Sequence, residues 1–119
     1  MTFCGFLWYI ILMDDEKINA SGSKLSRLKT AKLRLAQKFP KYALILAAVT
    51  IIDGSGSFSK GTVYGCTDCR ETIWVETDMH NDENSIMKTL AHEVKHIQKN
   101  GGCCNQIEHE IAQEGIGNA

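Results

Sequence analysis

No stretch of this 119-residue chain stays apolar for the roughly 20 residues that a membrane-spanning helix needs, so a helical membrane span is not expected. Net charge is also scarce: Lys and Arg number 13 against 14 Asp and Glu, a balance of −1. That argues against a broad basic surface for nucleic acid and against an acidic tail. There is no internal repeat and no composition break to mark a domain boundary. One domain over 1–119 is expected, with 1–23 as an apolar segment and linker. The apolar segment, Phe3 to Met13, has no basic leader and runs straight into Asp14-Asp15-Glu16. A buried strand or partner-binding segment is expected there rather than a signal peptide, and the cytoplasm is the expected compartment.

Cysteine, by contrast, is plentiful. Five in a chain this short is many, and an odd number excludes complete internal pairing. Cys66-Thr-Asp-Cys69 has CxxC spacing, and Cys103-Cys104 follows two glycines. A four-thiolate structural zinc is one reading. The second pair lacks the two-residue gap that lets both sulfurs wrap one ion, and nothing else points to an oxidising compartment. Free thiols in a tight turn and a loop are the plainer expectation.

Hydrophobic content of 44% with 23% charged residues suits a globular domain with a modest core. After a small polar linker, Asn19 to Ser23, the spacing predicts a basic amphipathic helix over Lys24 to Phe39. Leu25, Leu28, Lys32, Leu35 and Phe39 fall near one face, Ser21 or Ser23 can cap the start, and Pro40 stops the helix. A core-packing role is expected for it, with an acidic partner as the lesser alternative. Tyr42 to Ile52 is continuously apolar and ends in β-branched residues, which predicts a buried strand. A loop over Gly54 to Gly61 follows. Thr62–Gly65 and Arg70–Thr77 then form the arms of a hairpin closed by the cysteine turn, with Ile73 and Val75 opposite Trp74 and Glu76.

The most chemically loaded stretch is Thr89-Leu90-Ala91-His92-Glu93-Val94-Lys95-His96, an HExxH motif inside a helix expected over about Ser85 to Lys99. Histidines four apart stack on one helix face and can grip a single metal ion, with Glu93 within reach of a water in the open position. Zinc lowers the pKa of such a water, and the carboxylate takes its proton as the water attacks a carbonyl. Ile86, Met87, Leu90, Val94 and Ile97 share the apolar face, and Lys88, Lys95 and Lys99 share another. Glu93 falls at the apolar border, where partial desolvation is expected. Asn100-Gly101-Gly102 ends the helix.

HExxH supplies two ligands, and a catalytic zinc usually takes a third from the protein. Glu108, His109 and Glu110, on a short helix marked by Ile107 and Ile111, are the candidates. Glu108 is the expected ligand because it borders Ala112 and Gly115, where small residues would allow close approach. Glu110 and His109 remain the alternatives.

The order of apolar strand, hairpin, HExxH helix and Glu-rich helix, over roughly Tyr42 to Gly115, resembles a minimal gluzincin. These are zincin-fold metallopeptidases, and the small ImmA/IrrE-type and related phage or bacterial zincins are nearest in size. The resemblance rests on His92, Glu93 and His96. It weakens downstream, where the family's Glu-x-x-Ala-Asp pattern meets Ile111 and Ala112 after Glu108. Counting from Glu110 would put Glu114 at the aspartate, and counting from His109 would put Ala112-Gln113 at the pair. No methionine follows the motif, so a metzincin Met-turn is absent.

The resemblance implies an α+β zincin-like domain: an N-terminal helix, a short mixed or antiparallel sheet with a hairpin, the HExxH helix and a C-terminal ligand helix. It implies a zinc-dependent endopeptidase acting on a peptide or protein substrate, with metal ligands His92, His96 and Glu108 and catalytic Glu93. Arg70 to Thr77 would be the edge strand that pairs with substrate. Tyr64 or His80 would be candidates to stabilise the oxyanion, though a surface or core role suits both. The alternatives are a catalytically silent zinc-binding module, and a domain whose cysteines hold the metal while the histidines are incidental.

Overall fold

A computed structural model describes residues 17–54, 64–102 and 104–117. The apolar segment Phe3 to Met13, most of the loop after Gly54 and Cys103 lie outside these residues. Among them, the chain is α+β, with four α-helices and one mixed four-stranded sheet.

Strand β1 (Ile18–Asn19) leads into α1 (Gly22–Lys38), which ends just before Pro40. Ser21 occupies the N-cap position of α1 without a side-chain cap. Leu28, Ala31, Lys32, Leu35 and Ala36 are its buried residues, the face expected from the sequence spacing. The basic residues on the rest of α1 are largely committed within the chain. Arg27 donates to the carbonyls of Thr77 (3.3 Å) and His80 (2.6 Å), Arg34 pairs with Glu83 (2.9 Å), and Lys24 with Asp53 and Asp78. These contacts fix α1 to the residues that lead into and begin the HExxH helix.

The apolar run after Pro40 corrects the expected strand. A 3-10 turn (Pro40–Tyr42) leads into helix α2 (Ala43–Ala48), and only Thr50–Asp53 forms strand β2. The division follows the residue types. Ala-Leu-Ile-Leu-Ala-Ala is rich in the best helix formers, and the β-branched residues cluster in Val49-Thr50-Ile51-Ile52.

Strands β3 (Gly65–Thr67) and β4 (Thr72–Val75) form an antiparallel hairpin, as expected. The first arm is Gly65–Thr67 rather than Thr62–Gly65, of which Thr62 and Val63 lie outside the described residues. Cys66 sits in the strand opposite Trp74 rather than in the turn. The turn is built by Asp68, whose Oδ1 accepts from the backbone N–H of Arg70 (2.9 Å), Glu71 (3.0 Å) and Thr72 (3.1 Å). These donors hold the Asp68 carboxyl below its ordinary value. Cys69 closes the turn in the left-handed region, at φ 62°.

Sheet order is β1-β2-β4-β3, with β1, β2 and β4 mutually parallel and β3 antiparallel to β4. The Arg70–Thr77 arm is therefore an inner strand, not the expected edge. β2 pairs along the whole of β4, from Thr50–Thr72 to Asp53–Val75, and among the described residues the shorter arm β3 is left outermost. Ile73 and Val75 are fully buried, as their alternation with Trp74 predicts.

Helix α3 (Glu83–Gln98) carries the HExxH motif and packs against α1, β3 and β4, and α4 (Cys104–Glu114) packs against α3. One apolar core joins all four helices to the sheet. Its members include Leu28, Leu35, Leu46, Ile51, Ile73, Leu90, Val94 and Ile111, each side chain worth about 1.5–3 kcal/mol when fully buried. This core fixes one side of α3 and leaves the histidine side facing β3 and the start of α4.

Candidate metal centre

Helix α3 starts on Asp82, whose carboxylate accepts from the Ser85 backbone N–H at 2.8 Å. The Ser85 hydroxyl in turn lies 2.6 Å from Nδ1 of His80, a buried ring whose Nε2 faces the Tyr64 carbonyl (3.4 Å) and the Thr89 hydroxyl (3.3 Å). Burial lowers the pKa of His80. His80 thus pins the start of β3 to α3 and lines neither of the clefts beside His92, which is the core role expected for it rather than that of an oxyanion donor. The Tyr64 side chain, exposed, does line one cleft, next to Gly65, Thr89, His92, Glu93 and Glu108.

The two motif histidines, one helical turn apart, are in contact. Their ring centroids are 4.8 Å apart and their Nε2 atoms 3.0 Å apart. Each ring is held from behind through its other nitrogen. Nδ1 of His96 donates to the carbonyl of Gly101, and Nδ1 of His92 lies 2.5 Å from a carboxylate oxygen of Glu108.

The chain reversal after α3 completes the group. Asn100, Gly101 and Gly102 all take positive φ (54°, 127° and 83°), and the Gly101 N–H closes on the His96 carbonyl at 2.8 Å. The conformation at Gly102 favours glycine, and a Cβ there would also stand close, at 3.2 Å from Lys99 Cδ and 3.4 Å from Ile107 Cδ1. The reversal places Cys104, the first residue of α4, with Sγ 3.5 Å from His96 Nε2. Donor atoms of His92, His96 and Cys104 all lie within 4.8 Å of one another, a group that could hold a metal ion.

No family model, curated protein or solved structure matches this chain. The chemistry of the site therefore rests on its own residues.

Glu93 is 6% exposed and shares both clefts with His92. Burial, helped by the charge of Glu108, pushes its carboxyl up to about 7. The desolvation expected from its position at the apolar border is present. Burial, with Glu93 nearby, also raises the Cys66 thiol.

The three candidates on α4 separate clearly. Glu108 reaches the site through the outer nitrogen of His92 and is not part of the converging group. His109 is exposed, as expected. Glu110 turns away to Lys95 (3.1 Å) and Lys99 (2.9 Å). The basis for preferring Glu108 needs correction: Ala112 is exposed and, among the described residues, no atom lies within 4 Å of a Cβ at Gly115 and no helix packs on that side. Lys95, on the face shared with Lys88 and Lys99, is 5% exposed and pairs with Glu114 at 3.1 Å.

Cys104 is the functional candidate that sequence spacing did not single out for this group. The usable signal was the short reversal through two glycines, which returns the chain to His96 eight residues on, together with the four-residue step from Cys104 to Glu108 that puts both on one helix face. Cys66, Cys69 and Cys104 are free thiols. Cys66 and Cys69 line the same cleft as the histidines, but among the described residues the group with metal-binding spacing contains both histidines. That opposes the reading in which the histidines are incidental.

Proposed function

We propose that this protein is a zinc-dependent endopeptidase. The observation that carries the reading is the pairing of His92 and His96 through facing Nε2 atoms at 3.0 Å, with the buried Glu93 carboxyl opening into the same cleft. Two imidazole nitrogens, with sulfur or carboxylate available from α4, are donors that suit zinc.

A zinc ion held by His92 and His96 would acidify a coordinated water and polarise a carbonyl. Glu93 supplies the proton chemistry. A carboxyl raised to about 7 can take a proton on its Oε and return it to the departing amine near neutral pH. A cation beside it favours the ionised, proton-accepting form. Strand β3 is the outer strand of the sheet and contributes Gly65 to both clefts, so an extended peptide paired with it would pass over Glu93. The exposed Tyr64 side chain, on the wall of one cleft, is available as a donor to the substrate carbonyl oxygen.

The test is Glu93→Gln against a broad peptide library, with zinc content measured in parallel. The variant keeps zinc and loses cleavage, while His92→Ala loses both. Undiminished cleavage by Glu93→Gln contradicts the proposal. Zinc binding without cleavage of any peptide by the wild type would point instead to a binding module.

A further inference from the structure

The donor set of the site goes beyond the two motif histidines. We propose that Cys104 is the third protein ligand of the metal, in a His2Cys site, and that Glu108 orients His92 rather than binding the ion. This rests on the reading that His92 and His96 hold a metal.

Hydrogen-bond direction supplies the first argument. A carbonyl and a carboxylate only accept, so the proton on each neutral ring sits on Nδ1, toward Gly101 in one case and Glu108 in the other. Both lone pairs then fall on Nε2, and these two atoms face each other at 3.0 Å. Two acceptors cannot bond each other, and a cation shared between them resolves the conflict. Outer nitrogens tied to a carbonyl and a carboxylate are the usual surroundings of metal-bound imidazoles.

Distances supply the second. Tetrahedral zinc, with bonds of about 2.0–2.1 Å to nitrogen and about 2.3 Å to sulfur, separates two nitrogens by about 3.3 Å and a nitrogen from a sulfur by about 3.6 Å. The observed separations are 3.0 Å between the rings and 3.5 Å from His96 Nε2 to Cys104 Sγ. The third pair, His92 with Cys104, lies within 4.8 Å, so a shift of the sulfur toward His92 by about 1 Å closes the set around one ion.

The third argument is the position of Glu108. Its oxygen is engaged on the nitrogen of His92 that points away from His96, and its side chain is 61% exposed. Cys104 and Glu108, one turn apart on α4, therefore meet His96 and His92 in register: the sulfur at the lone-pair side of one ring, the carboxylate at the N–H side of the other.

Cobalt(II) substitution of the full chain, with zinc X-ray absorption, tests this without reference to activity. The wild-type cobalt complex is expected to show a thiolate-to-cobalt charge-transfer band in the near ultraviolet, and the zinc form one sulfur at about 2.3 Å. Cys104→Ser loses the band. Glu108→Gln keeps it and weakens metal affinity by about 10- to 100-fold. Cys66→Ser and Cys69→Ser keep it. A wild-type complex without the band, a band that survives Cys104→Ser, or one abolished by Cys66→Ser or Cys69→Ser overturns the assignment of sulfur while leaving metal binding by the histidines intact. Failure of the wild type to bind either metal overturns both.

Discussion

The ammonium of Lys95 lies 3.1 Å from a carboxylate oxygen of Glu114, which ties the HExxH helix to the far end of the helix that follows it. Glu114 also accepts from Lys41 (2.7 Å) and from the Tyr42 hydroxyl (2.5 Å), and Lys95 reaches Glu110 at 3.1 Å. The cluster stands at the opposite end of α4 from Cys104. It sets how α4 lies against α3, and so where Cys104 and Glu108 meet the histidines.

Removing the cation from this cluster should cost stability. Lys95 is buried, but its partners keep about a fifth to a quarter of their side chains exposed and retain Lys41 and Lys99. Lys95→Ala is expected to lower unfolding free energy by about 2 kcal/mol, the worth of a charge-assisted hydrogen bond rather than of a fully buried charge. Urea denaturation of the chelator-stripped chain measures it. No change in midpoint would mean that the ion pair does not hold α4.

The same cluster sets an acid limit. Burial raises the Glu114 carboxyl, but the hydrogen bonds from Lys41, Tyr42 and Lys95 outweigh it and bring it from an ordinary 4.5 down to about 2. A depressed carboxylate contributes stability that is complete above about 4.5 and is lost as pH falls toward about 2. With metal removed, the wild type is expected to lose stability more steeply than Glu114→Gln between these values. Parallel curves for the two proteins would contradict this.

Gly65 is where the outer strand meets the motif helix. A Cβ there would stand 2.7 Å from Thr89 Cγ2 and 2.9 Å from the Trp74 carbonyl oxygen, a backbone atom that cannot swing aside. Gly65→Ala is expected to destabilise by about 1–3 kcal/mol and to displace β3 from Glu93. If β3 is the substrate-pairing edge, kcat/KM for a cleaved peptide falls by more than the folded fraction accounts for. A variant with wild-type stability and turnover would show that the close approach is unimportant.

Much of this arrangement was legible in local pattern. The helix over the HExxH motif, the buried face of α1, the existence of the hairpin (though not the place of its first arm) and the partial desolvation of Glu93 all follow from periodicity and turn chemistry. Ala43 to Ala48 did not, because a short apolar run has no polar side to display a period, and alanine and leucine settled it as helix. The edge position passed from β4 to β3 because strand order depends on which distant segment pairs, and β2 is nineteen or more residues from β4 in the chain. The burial of Lys95 did not follow from its own helix, because its carboxylate partners Glu110 and Glu114 belong to another. The convergence of Cys104 on His96 required the backbone path through three positive-φ residues, which residue types suggest but do not trace.

The central claim is that the facing imidazoles of His92 and His96 bind a metal ion. Equilibrium dialysis of chelator-stripped protein against zinc tests it most directly, with His92→Ala and His96→Ala alongside. The expected result is one zinc per wild-type chain, loss of tight binding in both variants, and an added stability of about 2.7 kcal/mol for the wild type at a zinc concentration one hundred times Kd. A wild-type chain that takes up no zinc, or variants that bind it as tightly as the wild type, would contradict the account.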